Sequence, residues 1–293
     1  MTATAAPLSA TDLARLERRQ ARRERWRLLR RRPGFLIGSF ISLVWVVCAI
    51  GGDRITPYNP FAPEFTPNLR PDSAHPFGTD NLGRDVLSRV MAGARDVLIV
   101  APLAAIISVI AGTLLGLSAA YLRGLFDESI SRVMEAVLSI PLVMIGLLVL
   151  TTLGSTAPVL IFTVALLFTP IVFRTVRASV LAEAQLDYVT SAKLRGEGRL
   201  FIMTREILPN ISGPIIVELT VRVGYAIFTV ATLTFVAGGG KPDEPSWGNQ
   251  INQMYNLVPG GIWWPTIFPA LAIASLVIGI NLIADTVESV YST

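Results

Sequence analysis

The chain has 293 residues, 52% of them hydrophobic and only 16% charged, with a net charge of +4 and a mean hydropathy of +0.56. Soluble domains carry about a quarter charged residues, so this composition excludes an ordinary soluble domain. An intrachain disulfide is excluded too, because Cys48 is the only cysteine.

The apolar residues gather into six blocks near 34–52, 97–122, 133–153, 157–175, 212–237 and 264–287. Each approaches the roughly 20 residues that cross a bilayer. An open sheet leaves backbone groups unsatisfied in lipid, and no ten-residue alternation suggests a barrel. The predicted class is an all-α membrane protein with six transmembrane helices.

Residues 1–33 form a basic arm. Ten arginines lie between Arg15 and Arg32, which predicts a cytoplasmic amino end and contact with anionic lipid rather than with nucleic acid. The first block has a long charged arm and no small-x-small cleavage site after it, so it reads as a span and not as a secretory signal.

The 53–96 stretch is then an external loop, rich in proline and extended. Its end, HPFGTDNLGRDVLSRVMAGARD, predicts an amphipathic helix from Asp80 or Asn81 onward, lying on the outer membrane surface. In that helix Asp80–Arg84 and Asp85–Arg89 are i,i+4 pairs. His75 is the only histidine and has no second nitrogen or sulfur ligand near it, so no metal site is expected.

Gly112 and Gly116 in the second span predict close helix packing. The third span carries Glu135 near its inner end and Pro141 within it, and the fourth is expected to bend or end near Pro170. The 174–210 stretch is a basic cytoplasmic loop. Within it, 186–195 reads as a short helix ended by Gly196 and Gly198, followed by a returning piece over 199–207. Glu218 and Arg222 are four apart inside the fifth span and are read as a helix-internal pair or as lining of a translocation path. The external loop 238–262 carries Trp247 and Tyr255, and Trp263 and Trp264 suit an interfacial anchor. The sixth span returns the carboxyl end to the cytoplasm.

Catalytic chemistry is missing. In GGGKP, Pro242 stands where a phosphate loop needs Ser or Thr, and GEGRLF at 196–201 fails the dinucleotide pattern. One His and one Cys assemble no nucleophilic triad, and no cluster of metal ligands is present. A bundle of this kind is a channel, an ion-coupled carrier or one subunit of a powered machine.

The segment YVTSAKLRGEGRLFIMTREILPN resembles the cytoplasmic loop of permease subunits of ATP-binding-cassette importers, through Ala192, Gly196, Ile207, Leu208 and Pro209. HPFGTDNLGRD at 75–85, PSWG at 245–248 and WWPTIFPALAIASLVIGINLIAD at 263–285 narrow the resemblance to the second permease of the peptide/nickel subfamily. In the family's EAA pattern Thr190 replaces the acidic residue and Ser191 the middle alanine.

The resemblance implies a type I importer permease fold (MetI-like) with both termini inside, in the bacterial inner membrane. It implies a second homologous permease, two ATPase subunits that carry ATP and magnesium, and a solute-binding protein outside, with no cofactor on this chain. It assigns ATPase coupling to Tyr188, Val189, Thr190, Ala192, Lys193, Leu194, Arg195, Gly196 and Arg199, with Val189, Ala192 and Leu194 docking into a groove. Asp80, Arg84, Asp85 and Trp247 fall on the expected docking surface for the binding protein. The expected cargo is di- or oligopeptides, with nickel chelates, opines or oligosaccharides as alternatives.

Overall fold

The computed structural model describes residues 29, 32–238 and 244–291. Nearly all of the basic arm, and Gly239–Asp243, therefore lie outside the described residues.

Nine helices organise the described chain: α1 (Pro33–Gly51), α2 (Val86–Leu122), α3 (Gly124–Leu138), α4 (Leu142–Leu153), α5 (Ala157–Glu183), α6 (Asp187–Leu194), α7 (Ser212–Ala237), α8 (Trp247–Met254) and α9 (Trp264–Tyr291). Shorter helical turns connect them. Five helices, α1, α2, α5, α7 and α9, are long and apolar enough to cross a membrane, and α3 with α4 makes a sixth candidate that bends by 83° at its break. The third span is thus not one straight helix. Pro141 cannot donate to the backbone ladder, and it stands as the N-cap of α4.

The bundle is built around α2 and α5. Gly112 lies so close to α5 that an added Cβ would sit 2.6 Å from the Val172 Cβ, and one at Gly116 would sit 2.9 Å from the Phe173 carbonyl oxygen. The expected small-residue packing is present, and it joins helices of one chain. Pro170 does not end α5, which runs unbroken to Glu183, past the predicted limit at 175.

A larger apolar core joins α2, α4, α5, α7 and α9, and includes Trp247, Leu167, Ile227 and Leu276. A second core, with Val172, Val176, Val189 and Ile207, lies where α2 and α5 meet α6. Leu29 packs on Val287 and Val290 near the end of α9.

Helix α2 begins at Val86 and not at Asp80. Asp85 is its N-cap and accepts from the Ser88 amide at 2.8 Å. The expected surface helix is therefore the first part of a 37-residue helix that continues into the span.

Candidate functional site

Two assemblies stand at opposite ends of α2. One is a polar cap made from the loop that precedes α2, together with α8. The other is a projection made of α6 and the 199–210 segment.

In the cap, Asp80 receives the Arg84 guanidinium Nε at 2.7 Å and the Leu82 and Arg84 amides at 2.9 Å each. This pair is four residues apart, as expected, but it closes a turn and supports no helix. Arg89 donates to the Pro60 carbonyl at 2.8 Å and lies 3.7 Å from Asp80. His75 Nδ1 is 2.9 Å from Asp85, with the Tyr58 and Phe65 rings against the imidazole. Trp247 donates its indole N–H to the Val90 carbonyl at 2.8 Å. Trp264 donates to the Thr79 carbonyl at 3.0 Å and is buried. Of the two tryptophans expected as interfacial anchors, only Trp263 is exposed.

Asp80, Arg84, Asp85 and Trp247 are all at most 3% exposed. They cannot themselves be a docking surface in this arrangement. Taking charges out of water requires them to be paired and hydrogen-bonded; Asp80, Arg84 and Asp85 meet that need within the loop and at the start of α2, while Trp247 ties α8 to α2. The sequence reading also missed α8, whose apolar Trp247, Ile251 and Met254 recur at helical spacing over only two turns.

In the projection, α6 starts with Asp187 in its first turn and ends with Lys193 in its last, both favourable to the helix dipole. The Gly196 amide donates to Lys193 and the Glu197 amide to Ala192, with Gly196 at φ +79°. This is a Schellman ending, which needs a left-handed residue after the helix. The return segment passes through a π-helical turn at Ile202–Ile207, directly before Pro209, which has no N–H.

Val189 and Ala192 are fully buried against the chain's own Ile202, Ile207 and Ile211. They hold α6 in place and do not face outward, which corrects the groove-docking face read from the sequence. Tyr188 donates to Glu183 at 2.6 Å. Burial and that neighbouring carboxylate push its phenol up to about 12, so it remains a donor. Lys193 lies over the Tyr121 ring at 5.7 Å, and Arg195 reaches Glu206 at 3.6 Å.

The outward side carries Thr190, Ser191, Lys193, Arg195, Gly196 and Arg199. Leu194 stands 85% exposed among them. Leu200, Phe201 and Leu186 are exposed as well. Sequence reasoning gave Leu200 and Phe201 no role, although two large apolar residues in a basic stretch outside any span were a usable signal.

Glu218 and Arg222 in α7 do form a pair, 2.7 Å apart. The Arg222 guanidinium also lies 5.2 Å from the Tyr225 ring centre and 5.7 Å from that of Phe168.

The long apolar bundle thus carries an exposed knob over 187–210 that is backed by the chain's own core. Residues 112–291 match the model of the family described as binding-protein-dependent transport system inner membrane component. The chain belongs to this family. As an inner membrane component it is a multi-pass membrane protein, and the matched part covers both the broken third span and the projection.

The chain is similar to a putative peptide transport system permease protein of Brucella suis, 37% identical over 265 residues that span 90% of this chain and 89% of the relative. It is similar to the dipeptide transport system permease protein DppC of Haemophilus influenzae, 33% identical over 269 residues, 89% and 91% of the two chains. The glutathione transport system permease protein GsiD of Pectobacterium atrosepticum is 32% identical over 269 residues, 90% and 88% of the two.

Proposed function

We propose that this permease is one of two non-identical membrane subunits of an ATP-driven importer for short peptides. The observation that carries the reading is the projection. An exposed leucine, Leu194, is flanked by Lys193 and Arg195 on a helix whose other side is locked to the bundle through Val189 and Ala192.

Such a knob suits the surface groove of a cytoplasmic ATPase, where an apolar anchor supplies affinity and a charged rim supplies orientation. ATP and magnesium belong to that partner. Closure of the ATPase pair moves α6, and α6 moves α5 and α2 through their shared core. To reverse a 1:99 equilibrium takes about 5.5 kcal/mol of differential binding, which nucleotide and loaded binding protein supply together.

The ten arginines of the arm favour the projection end as the cytoplasmic end. The binding protein then meets the 53–96 and 238–262 loops, whose shape Asp80, Arg84, Asp85 and Trp247 maintain from inside. Glu218 and Arg222 are paired within one helix at 2.7 Å, which favours a structural role for them over that of a stand-alone carrier's ion site. The names of the relatives favour di- and oligopeptides as cargo.

Affinity purification of the tagged chain from its native membrane tests this reading. A second permease and an ATPase are expected to accompany it, and uptake of labelled dialanine into proteoliposomes is expected only with ATP and the binding protein. Uptake by the chain alone overturns the reading.

A further inference from the structure

A cleft of about 480 Å³ lies between α3 and α5, lined by Ser131, Met134 and Glu135 on one wall and Phe173, Arg174 and Arg177 on the other. Its size falls within the range of small-molecule sites. Ser131, Met134 and Glu135 share a face because they are three and four residues apart.

The two arginines are not equivalent. Arg177 is committed to Asp127, with Nε and Nη2 at 2.6 and 2.7 Å from the two carboxylate oxygens, and this fork pins α3 to α5. Arg174 makes no ion pair or hydrogen bond among the described residues and is exposed. On the opposite wall Glu135 has Arg132 as its ion-pair partner, 3.4 Å away, and both side chains are mostly exposed. The cleft thus offers an available cation on one wall and a loosely held carboxylate on the other, with the half-buried Met134 beside the carboxylate. A simple anion or a simple cation satisfies only one wall. A zwitterion satisfies both.

We propose that this cleft binds the two charged ends of a short peptide, the carboxylate at Arg174 and the ammonium at Glu135, with Met134 beside them against side chains of varied shape. The inference rests on the peptide-permease reading and adds a site to it. The cleft lies at the projection end of the bundle: Gly116 packs against Phe173 and Arg177, and Val176 and Val180 share a core with Val189 of α6. It therefore sits at the same end of the bundle as α6.

The test uses the assembled transporter, without nucleotide or binding protein, in nanodiscs of phosphatidylglycerol, whose head group carries no cation. Retention of labelled dialanine is measured beside that of acetyl-dialanine and dialanine amide. Glu135→Gln and Arg174→Gln are each expected to weaken dialanine retention about tenfold, the worth of one charge-assisted hydrogen bond. Arg174→Gln is expected to leave the amide unaffected, and Glu135→Gln the acetyl form. Both positions are exposed, so folding is not at risk, and the swap Arg174→Glu with Glu135→Arg is expected to restore retention.

Unchanged retention in both single variants overturns the proposal, as does no retention by the unaltered complex. Equal loss for capped and uncapped peptides overturns it too. A fourth contrary result is displacement of dialanine by added phosphatidylethanolamine, whose head group carries the same two charges, because the cleft is then a lipid site. ATP-driven uptake that persists beside any of these results leaves the permease reading standing and removes the cleft alone.

Discussion

Trp247 donates its indole N–H to the Val90 carbonyl across 157 positions of sequence, at 2.8 Å. This bond fixes α8 to the first turns of α2, and it is supported by Gln250, which donates to the Arg89 carbonyl at 3.2 Å. The Trp45 ring meets Trp247 edge-on at 4.9 Å. Trp247→Phe keeps most of the ring and loses the donor, so a loss of about 1–3 kcal/mol is expected from the unsatisfied carbonyl. Trp247→Ala is expected to cost about 3–5 kcal/mol. Thermal unfolding of the purified complex, read by tryptophan-independent dye binding, distinguishes the two; equal midpoints for wild type and Trp247→Ala would count against the clamp.

Asp80 accepts from Arg84 and lies within 3.7 Å of Arg89, with all three side chains nearly inaccessible. Asp80→Asn leaves buried positive charge without its carboxylate and is expected to destabilise the cap by about 3–5 kcal/mol. The readout is protease cleavage within 55–85 in intact membranes. A variant as resistant as wild type would mean that the carboxylate is dispensable.

At Gly196, φ is +79° and an added Cβ meets no neighbour within 4 Å. The obstacle to substitution is therefore the backbone angle alone. Gly196→Val is expected to cost at least about 1–2 kcal/mol, to insert normally, and to separate ATP hydrolysis from uptake because the turn after α6 is displaced. The ratio of peptide taken up to ATP hydrolysed, in proteoliposomes, is the measurement. An unaltered ratio speaks against α6 as the moving part.

Leu194 and Val189 are neighbours on one short helix with opposite surroundings, 85% and 0% exposed. Leu194→Ala is expected to leave the melting temperature alone and reduce the ATPase recovered with the complex about tenfold or more, in line with a truncated interface anchor. Val189→Ala is expected to lower the melting temperature, by about 1–2 kcal/mol in stability terms, and to affect ATPase recovery only through that loss. If both variants behave alike, inner and outer faces of α6 have been confused.

Much of this architecture was legible in the residues. Apolar blocks of bilayer length marked the spans, because lipid imposes a length that soluble folds do not. Gly112 and Gly116 announced a close helix contact, and Gly196 announced a helix end, since each stands where a side chain or an ordinary φ is not tolerated. The polar cap was illegible for a physical reason. Asp80 and Arg84 have helical spacing, but the turn that they close brings in Phe65, Asn68 and Leu69 through backbone hydrogen bonds, and no local pattern records such partners. The break between α3 and α4 was visible as Pro141, yet its 83° angle depends on what packs on either side. On α6, the resemblance set Val189 and Ala192 outward beside Leu194, and the structure turns that pair inward. That choice is decided by Ile202, Ile207 and Ile211, which come after the chain has reversed.

Helix α2 has one more consequence. Thirty-seven residues at about 1.5 Å each make a rod of about 55 Å, nearly twice the roughly 30 Å of a bilayer's hydrocarbon. A rod of that length pivoting at its midpoint by 10° swings each tip by about 5 Å in opposite senses. Pro102 lies inside this rod and has no N–H to give its backbone ladder, so the share of a tilt at Asp85 that arrives at Tyr121 is set by the stiffness of that one turn.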